Sequence, residues 1–258
     1  MSRRRRIVLG LVAVLLAAGQ AGCDWLRPNR ELPGTEEESP SSEAKPDREK
    51  DDQQSGDRRE QAEHPSNART ALANLLGLEL GRRWEYEGEG NEFAAFSAWV
   101  AHASGNLYQV QEDSGGTVLA RILELRDDGV YEIYTKEEHY SAESLLQSEA
   151  VRERAGRPDV GRKLLPWPLS EGSTWTLPSG ELATLVSVSE QRTVPLGEFD
   201  RVVHVNIGPV DCYYAPGVGL IERRFTEGEA MVASRLKWTG IASKGDPRYN
   251  AGVGSGSD

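Results

Sequence analysis

Between residues 70 and 241, apolar and polar residues alternate in the manner of β-strands. Six segments are rich in Val, Ile and aromatic residues, and Gly, Asn and Asp separate them. The predicted strands cover residues 93–103, 107–111, 118–125, 130–135, 182–188 and 202–207. Asp127-Asp128-Gly129 and Glu227-Gly228-Glu229 lie where tight hairpin turns should fall. The pattern therefore predicts a mainly β domain built on an antiparallel sheet.

One segment of this domain has helical spacing instead. It follows Ser141, which is a suitable N-cap, and Pro158 closes it. Its apolar positions are Leu145, Leu146, Ala150 and Val151. We expect a short helix here.

A faint internal repeat divides the β domain. In each copy a glycine precedes a tryptophan by three residues, and an aromatic or aliphatic residue follows two positions later. The copies are Gly81, Trp84 and Tyr86, and Gly172, Trp175 and Leu177. The repeat predicts two similar curved-sheet units, residues 78–140 and 169–238, joined by the helical and proline-rich segment 141–168. The alternative is a chance recurrence of a short pattern.

The first 22 residues have the order of a secretory signal peptide. Four arginines, at positions 3–6, precede an uncharged apolar run at 7–18 and small residues up to Gly22. Spanning a bilayer takes roughly 20 apolar residues, so the run is too short to be an anchor. We predict cleavage after Gly22.

The residues around Cys23 resemble the bacterial lipobox, in which small residues precede a cysteine that is linked to diacylglycerol. Ala21 and Gly22 match that pattern, whereas Gln20 stands where the family usually has an aliphatic residue. The resemblance implies that Cys23 becomes a lipidated N-terminus that anchors the chain to the membrane outside the cytoplasm. The alternative is ordinary cleavage that leaves Cys23 as an incidental thiol.

Composition separates a tether and a tail from the β domain. Residues 23–69 are dominated by charged and polar residues, which predicts a disordered tether, and the Gly- and Ser-containing residues 242–258 predict a flexible tail. The formal net charge is −11, and loss of the four signal-peptide arginines makes it −15. Because no basic patch is visible, nucleic acid and anionic lipid surfaces are not expected partners.

Candidate chemistry is sparse. Besides Cys23 the only cysteine is Cys212, in a strand-like segment, and we expect it to be a buried, inert thiol. His64, His102, His139 and His204 are isolated, and no nucleophile elbow, zinc motif or phosphate-binding loop is present. The sequence therefore predicts no enzyme.

The best candidate for a metal site is an acidic segment. Glu85, Glu87 and Glu89 alternate along a predicted strand and would share one face, with Asn91 and Glu92 in the following turn. Oxygen ligands of this kind suit Ca²⁺. The alternative is a solvated strand face, and no other cofactor is expected.

Two further motifs support a family resemblance. The Gly81-x-x-Trp84-x-Tyr86 stretch and residues 213–220 resemble uncharacterised lipoproteins of spore-forming, Gram-positive type bacteria, over roughly residues 78–236. The later motif contains Tyr213, Tyr214, Pro216, Gly217 and Gly219. The resemblance implies an extracytoplasmic location and a β fold but no reaction. Independently, the residue types of this motif and of residues 194–199 favour sheet turns over sites.

Three functions remain open from the sequence. The first is a non-catalytic surface module that contacts an envelope protein or polymer, and the second is a carrier or sensor of an apolar ligand. The third is a hydrolase that uses carboxylates such as Glu112, Asp113 or Glu138. A greasy cavity would favour the second, and two facing carboxylates in a cleft would favour the third.

Overall fold

The computed structural model describes residues 64–241, which form twelve strands and two short helices. The first six strands are β1 (Arg82–Glu89), β2 (Phe96–Ser104), β3 (Leu107–Asp113), β4 (Val118–Arg126), β5 (Gly129–Lys136) and β6 (Arg162–Pro166). The others are β7 (Thr174–Thr176), β8 (Leu182–Val194), β9 (Gly197–Ile207), β10 (Val210–Ala215), β11 (Gly219–Glu227) and β12 (Ala230–Ile241). Helix α1 (His64–Leu75) precedes β1, and α2 (Glu149–Arg152) lies between β5 and β6.

All twelve strands belong to one antiparallel sheet, in the order β6-β5-β4-β3-β2-β1-β12-β11-β10-β9-β8-β7. Each half of the chain forms a meander of six neighbouring strands, and the two meanders join where β1 pairs with β12. The prediction of a mainly β, antiparallel fold is confirmed. The two halves form a single continuous sheet, and a short helix lies in the segment that connects them.

The sheet curves until its two edges approach each other. Trp175 on the edge strand β7 donates a hydrogen bond from Nε1 to the carbonyl oxygen of Lys163 on the other edge strand, β6, over 2.9 Å. Curvature of this degree encloses a concave side, which carries the main core, and leaves a convex side outward.

Helix α1 closes part of the concave side. Leu72, Leu75 and Leu76 are buried in the same core as the strand side chains. The backbone N–H of Gly217 donates to the carbonyl oxygen of Asn74, and a Cβ atom on Gly219 would lie 2.4 Å from the carbonyl oxygen of Leu76. The backbone of the turn between β10 and β11 therefore packs closely against the end of the helix.

The sequence pattern did not predict α1. The helix begins at His64, inside the segment 23–69 that was predicted to be a tether, and Arg69 on it forms an ion pair with Asp127 at 2.9 Å. Its buried residues Ala68, Leu72 and Leu75 lie at helical spacing on one face. A helix of twelve residues is marginal by itself, so burial against the sheet stabilises it more than intrinsic propensity does.

The helix predicted after Ser141 is largely wrong. Helix α2 spans only Glu149–Arg152, and its N-cap is Ser148, whose Oγ accepts from the N–H of Val151. The preceding backbone groups bond to side chains of β3 instead. The N–H of Leu145 donates to Gln109, and the carbonyl oxygen of Ser141 accepts from Gln111. These bonds hold the segment against the convex side, over a second apolar cluster that includes Ile122, Ile133, Leu146 and Val151.

The predicted strands and turns agree with the structure except at their ends. Asp127-Asp128 connects β4 to β5, Gly228-Glu229 connects β11 to β12, and Pro195-Leu196 connects β8 to β9. Phe93 belongs to a single 3-10 turn, Glu92–Ala94, and not to a strand. Strands β8 and β9 run longer than predicted, because irregular pairing extends their polar hairpin past the alternating segments.

The motif at residues 213–220 supports the first strand. Trp84 donates from Nε1 to the carbonyl oxygen of Val218 at 2.6 Å, and the hydroxyl group of Tyr86 donates to the carbonyl oxygen of Leu220 at 2.8 Å. Gly217 and Gly219 both have positive φ, which glycine adopts without strain. Pro216 lies in the same turn. The motif therefore has a packing role.

The predicted cleavage after Gly22, the lipidation of Cys23, most of the tether and the tail at 242–258 lie outside the described residues. Within residues 64–241, neither helix is long and apolar enough to cross a membrane.

Candidate functional site

Five charged side chains meet on the concave side of the sheet. They are Glu112 on β3, Arg121 on β4, Glu132 on β5, Arg162 on β6 and Arg223 on β11. We call this group the concave charge cluster. Because arginine and glutamate usually remain in water, their presence inside a curved sheet requires explanation.

The contact between Glu112 and Arg223 shows on which side of the sheet the cluster lies. Arg223 donates from Nη2 to Oε1 of Glu112 over 3.1 Å, although β2, β1 and β12 lie between their strands. Four strand spacings on a flat sheet amount to about 19 Å, which exceeds the combined reach of the two side chains. Both must therefore project into the concave side and meet across it.

The remaining contacts extend the cluster across neighbouring strands. Arg121 donates from Nη1 to Oε2 of Glu132 at 2.9 Å, and its Nε lies 3.5 Å from Oε2 of Glu112. Arg162 stands directly opposite Glu132 in the β5–β6 pair, with its Nη2 at 3.5 Å from Oε1. The Nε atom of Arg162 is buried and has no hydrogen-bond partner among the described residues.

The arginines line an interior space that water reaches. The contact of Arg223 with Glu112 across the sheet, and that of Arg121 with the same carboxylate, place both arginines inside the curve of the sheet. Nevertheless 24% of the Arg121 side chain, 29% of Arg223 and 33% of Arg162 remain accessible. Because these side chains project into the concave side, their accessible part faces a recess there and not the convex outer surface.

The arginines keep both carboxylates ionised. Burial alone would raise the pKa of Glu112, but the charges and hydrogen bonds of Arg223 and Arg121 outweigh it and lower that pKa to about 2. Burial would also raise the pKa of Glu132, but the charges of Arg121 and Arg162 outweigh it and lower that pKa. At neutral pH the cluster of three arginines and two glutamates therefore carries one net positive charge.

Aromatic and apolar groups border the cluster. The rings of Tyr86 and Phe96 stack with centroids 4.2 Å apart, and the guanidinium of Arg223 lies 4.6 Å from the centroid of Phe96. Cys212 stands opposite Arg223 in the β10–β11 pair, and burial raises the pKa of its thiol. The expected buried thiol is therefore present, in its neutral form.

A second charged group lies on the convex side. His204 is isolated in the sequence, but its Nδ1 is 2.7 Å from Glu190 and its Nε2 is 2.8 Å from Asp211. The ring also stacks on Tyr213, and Arg192 covers the other part of that tyrosine at 3.6 Å. These contacts join the long β8–β9 hairpin to its neighbour β10.

The proposed calcium ligands share a face but not a site. Trp84 and Tyr86 are buried in the core, so Glu85, Glu87 and Glu89 share the opposite face of β1, as predicted, and this is the convex side. Side chains two positions apart on a strand are about 6.5 Å apart, too far for three of them to bind one ion at 2.3–2.6 Å. Glu89 binds Arg235 at 2.6 Å instead, and residues 67–241 contain no group of three potential ligands that could hold a metal.

An open depression of about 380 Å³ lies next to Glu85. Arg83 and Lys237 face Glu85 and Asp113 around it, so the charges are balanced. The depression favours neither a cation nor an anion.

The three carboxylates considered for hydrolysis do not converge. Glu112 lies in the concave charge cluster, whereas Asp113 accepts from the N–H of Gly115 in the turn after β3. Glu138 lies after β5, on an exposed part of the segment that leads to α2. These positions supply no facing pair in a cleft.

Sequence reasoning missed most of the cluster. Glu112 was named only for hydrolysis, and Arg121, Arg162 and Arg223 were not named at all. Each arginine does occupy an alternating position in or next to an apolar segment, which is an unusual place for a charge in a buried sheet face. That signal marks single positions, but it does not indicate which of them meet.

Comparisons with known proteins add little to this site. No protein-family model matches the chain, and no curated protein matches its sequence. Two solved structures share part of the shape at 11% sequence identity. One is a protein described as exported, with a YmcC-like fold, from Bacteroides fragilis; the match covers 63% of this chain and 96% of that one, with a TM-score of 0.33. The other is described as a lipoprotein from Parabacteroides distasonis, with 64% and 98% coverage and a TM-score of 0.34. These values are too low to carry any property of either protein over to this chain.

Proposed function

We propose that this protein is a non-catalytic binding module, tethered outside the cytoplasmic membrane by a lipidated Cys23, whose ligand binds on the concave side of the sheet. The tether rests on the signal-peptide pattern and on the lipobox residues before Cys23. The binding role rests on one observation, the partly accessible arginines on the concave side of the sheet. The ligand is a component of the cell envelope, because the tether would hold the module there.

The geometry favours binding over the two other functions. A carboxylate-dependent hydrolase needs a carboxyl group that holds a proton near neutral pH, and the arginines lower the pKa values of both Glu112 and Glu132. A carrier of a purely apolar ligand needs an empty apolar cavity. The apolar part of the concave side is packed instead, with Leu72 of α1 and Leu236 of β12 among the fully buried residues.

The tether is tested by intact mass after expression of all 258 residues. We expect the mass of residues 23–258 plus diacylglycerol in the membrane fraction, and loss of that addition in Cys23→Ser. An unmodified protein released from the membrane would contradict the tether.

Binding on the concave side is tested by native mass spectrometry of the protein purified from its own membranes. Leu119 stands directly opposite Glu112 in the β3–β4 pair and is half-buried, so Leu119→Trp fills the recess next to the cluster. Leu182→Trp makes the same change at an exposed position on β8. We expect a co-purifying small molecule in the wild type and in Leu182→Trp but not in Leu119→Trp. Its absence from the wild type, or its presence in all three, would overturn the proposal.

A further inference from the structure

The concave charge cluster contains more hydrogen-bond donors than its own carboxylates use. Each guanidinium presents several N–H groups in a fixed plane, yet within residues 67–241 Arg223 donates only to Glu112, through Nη2. Arg162 has a single contact in the cluster, at 3.5 Å, and its Nε has no partner among the described residues. Among the described residues Arg126, Arg192 and Arg224 also have a buried nitrogen without a partner, so an unused donor alone does not indicate a ligand. The guanidiniums of the cluster are in addition partly accessible, and their free N–H groups therefore point to an acceptor that the chain does not supply.

The charge of the cluster defines that acceptor further. Glu112 pairs with Arg223 and Arg121, and Glu132 pairs with Arg121 and Arg162. Two carboxylates balance two of the three arginines, and one positive charge remains. A ligand group with a single negative charge would neutralise the cluster, whereas a cation would be repelled.

The shape of a guanidinium selects among such anions. Its planar fork fits two oxygens that share one charge, the arrangement found in a carboxylate and in a phosphodiester. The guanidinium of Arg223 lies 4.6 Å from the centroid of the buried Phe96 ring, which helps to hold its plane in place.

We propose that Arg121, Arg162 and Arg223 form a binding site for a singly charged oxyanion, a carboxylate or a phosphodiester group. This inference rests on the proposed function, because it names the chemical class of the ligand at the same site. Arg162 has the guanidinium with the fewest contacts. Arg121 on β4 and Arg223 on β11 add positive electrostatic potential and further hydrogen-bond donors.

Saturation-transfer NMR on the full chain in neutral detergent tests this site with three small probes. Acetate carries the carboxylate, dimethyl phosphate carries the phosphodiester, and acetamide is a neutral molecule of nearly the same shape as acetate. We expect acetate or dimethyl phosphate to bind and acetamide not to bind. The comparison of the two anions indicates which group the natural ligand carries.

Two arginine variants make the test specific. Arg162→Gln removes a charge-assisted donor and should weaken anion binding about tenfold or more. Glu132 keeps its 2.9 Å bond to Arg121 in that variant, so the fold should survive. Arg157→Gln is the matched control, since Arg157 is exposed and pairs only with Asp159 next to it. Arg162→Lys retains the charge without the fork and should give intermediate binding.

The outcomes separate this inference from the proposed function. Equal anion binding in the wild type and in Arg162→Gln, or equal binding of acetate and acetamide, would overturn the anion site. If neither anion binds while Leu119→Trp still abolishes the co-purified molecule, the binding module stands and the ligand class is wrong. If Leu119→Trp has no effect and no anion binds, both proposals fail.

Discussion

The substitution Glu112→Gln tests whether the concave charge cluster exists as described. The change keeps the size of the side chain and removes its charge. In the folded protein Glu112 accepts from Arg223 at 3.1 Å and lies 3.5 Å from Arg121. These contacts favour the ionised form, so the variant should be less stable than the wild type wherever Glu112 is ionised.

The size of the effect follows from the pKa of Glu112. Folding lowers it from 4.5 to about 2, and each pKa unit corresponds to about 1.4 kcal/mol. Ionised Glu112 therefore stabilises the folded state by about 3 kcal/mol. Because the folded pKa is the lower one, this stabilisation is present above pH 4.5 and is lost as the pH falls toward 2. Protonated glutamic acid is close to glutamine in shape and charge, so the two proteins should then become nearly equal in stability.

Urea unfolding between pH 7 and pH 2, in a Cys23→Ser background, measures the difference. We expect a gap of about 3 kcal/mol above pH 5 that closes toward pH 2. Asp159→Asn is the control, because Asp159 pairs with Arg157 at the surface and should give no such gap. A gap that is absent at neutral pH, or that does not change with pH, would refute the ionised, arginine-bound state of Glu112.

Three further substitutions test the contacts that hold α1 and β1 in the core. Leu72→Ala removes a fully buried side chain and should lower the free energy of unfolding by about 2–5 kcal/mol in urea titrations; a loss below about 1 kcal/mol would place α1 outside the core. Gly219→Ala puts a Cβ atom 2.4 Å from the carbonyl oxygen of Leu76 at a φ of +95°, and the Tm should fall by roughly 5 °C or more. An unchanged Tm would contradict this close approach. Trp84→Phe leaves the carbonyl oxygen of Val218 without its donor and should cost about 1–3 kcal/mol in thermal unfolding, whereas full stability would show that the bond is dispensable.

The strands could be predicted because their signal is local. Alternation in segments such as 118–125 and the Asp127-Asp128-Gly129 turn specify strand and hairpin within about ten residues. Helix α1 could not be predicted in this way, since its burial depends on Gly217 and Gly219, more than 130 residues further along the chain. The helix predicted after Ser141 was wrong for the opposite reason. Its helical spacing is real, but side chains of β3 take the backbone hydrogen bonds that a helix would need.

The candidate site was beyond prediction for a topological reason. Glu112 and Arg223 are 111 residues apart in the sequence, and their strands are not neighbours in the sheet. Their meeting depends on the curvature of the whole sheet, which alternation does not encode. The acidic run Glu85, Glu87 and Glu89 was easier to see because it is local, and its members share a face as expected. A shared strand face, however, spreads ligands along a line and does not gather them around an ion.

The concave charge cluster and the charged group around His204 differ in a way that bears on function. On the convex side His204 lies between two carboxylates, and Arg192 covers Tyr213. The charged side chains there contact one another and stabilise the β8–β9 hairpin against β10. On the concave side three arginines face two carboxylates, so one positive charge has no carboxylate to balance it among the described residues. Enclosing charges costs desolvation free energy, and an apolar replacement is often as stable or more so. Stability alone therefore gives little reason to place three arginines in the recess, whereas an anionic ligand would need their charge, their planar donors and their access to water.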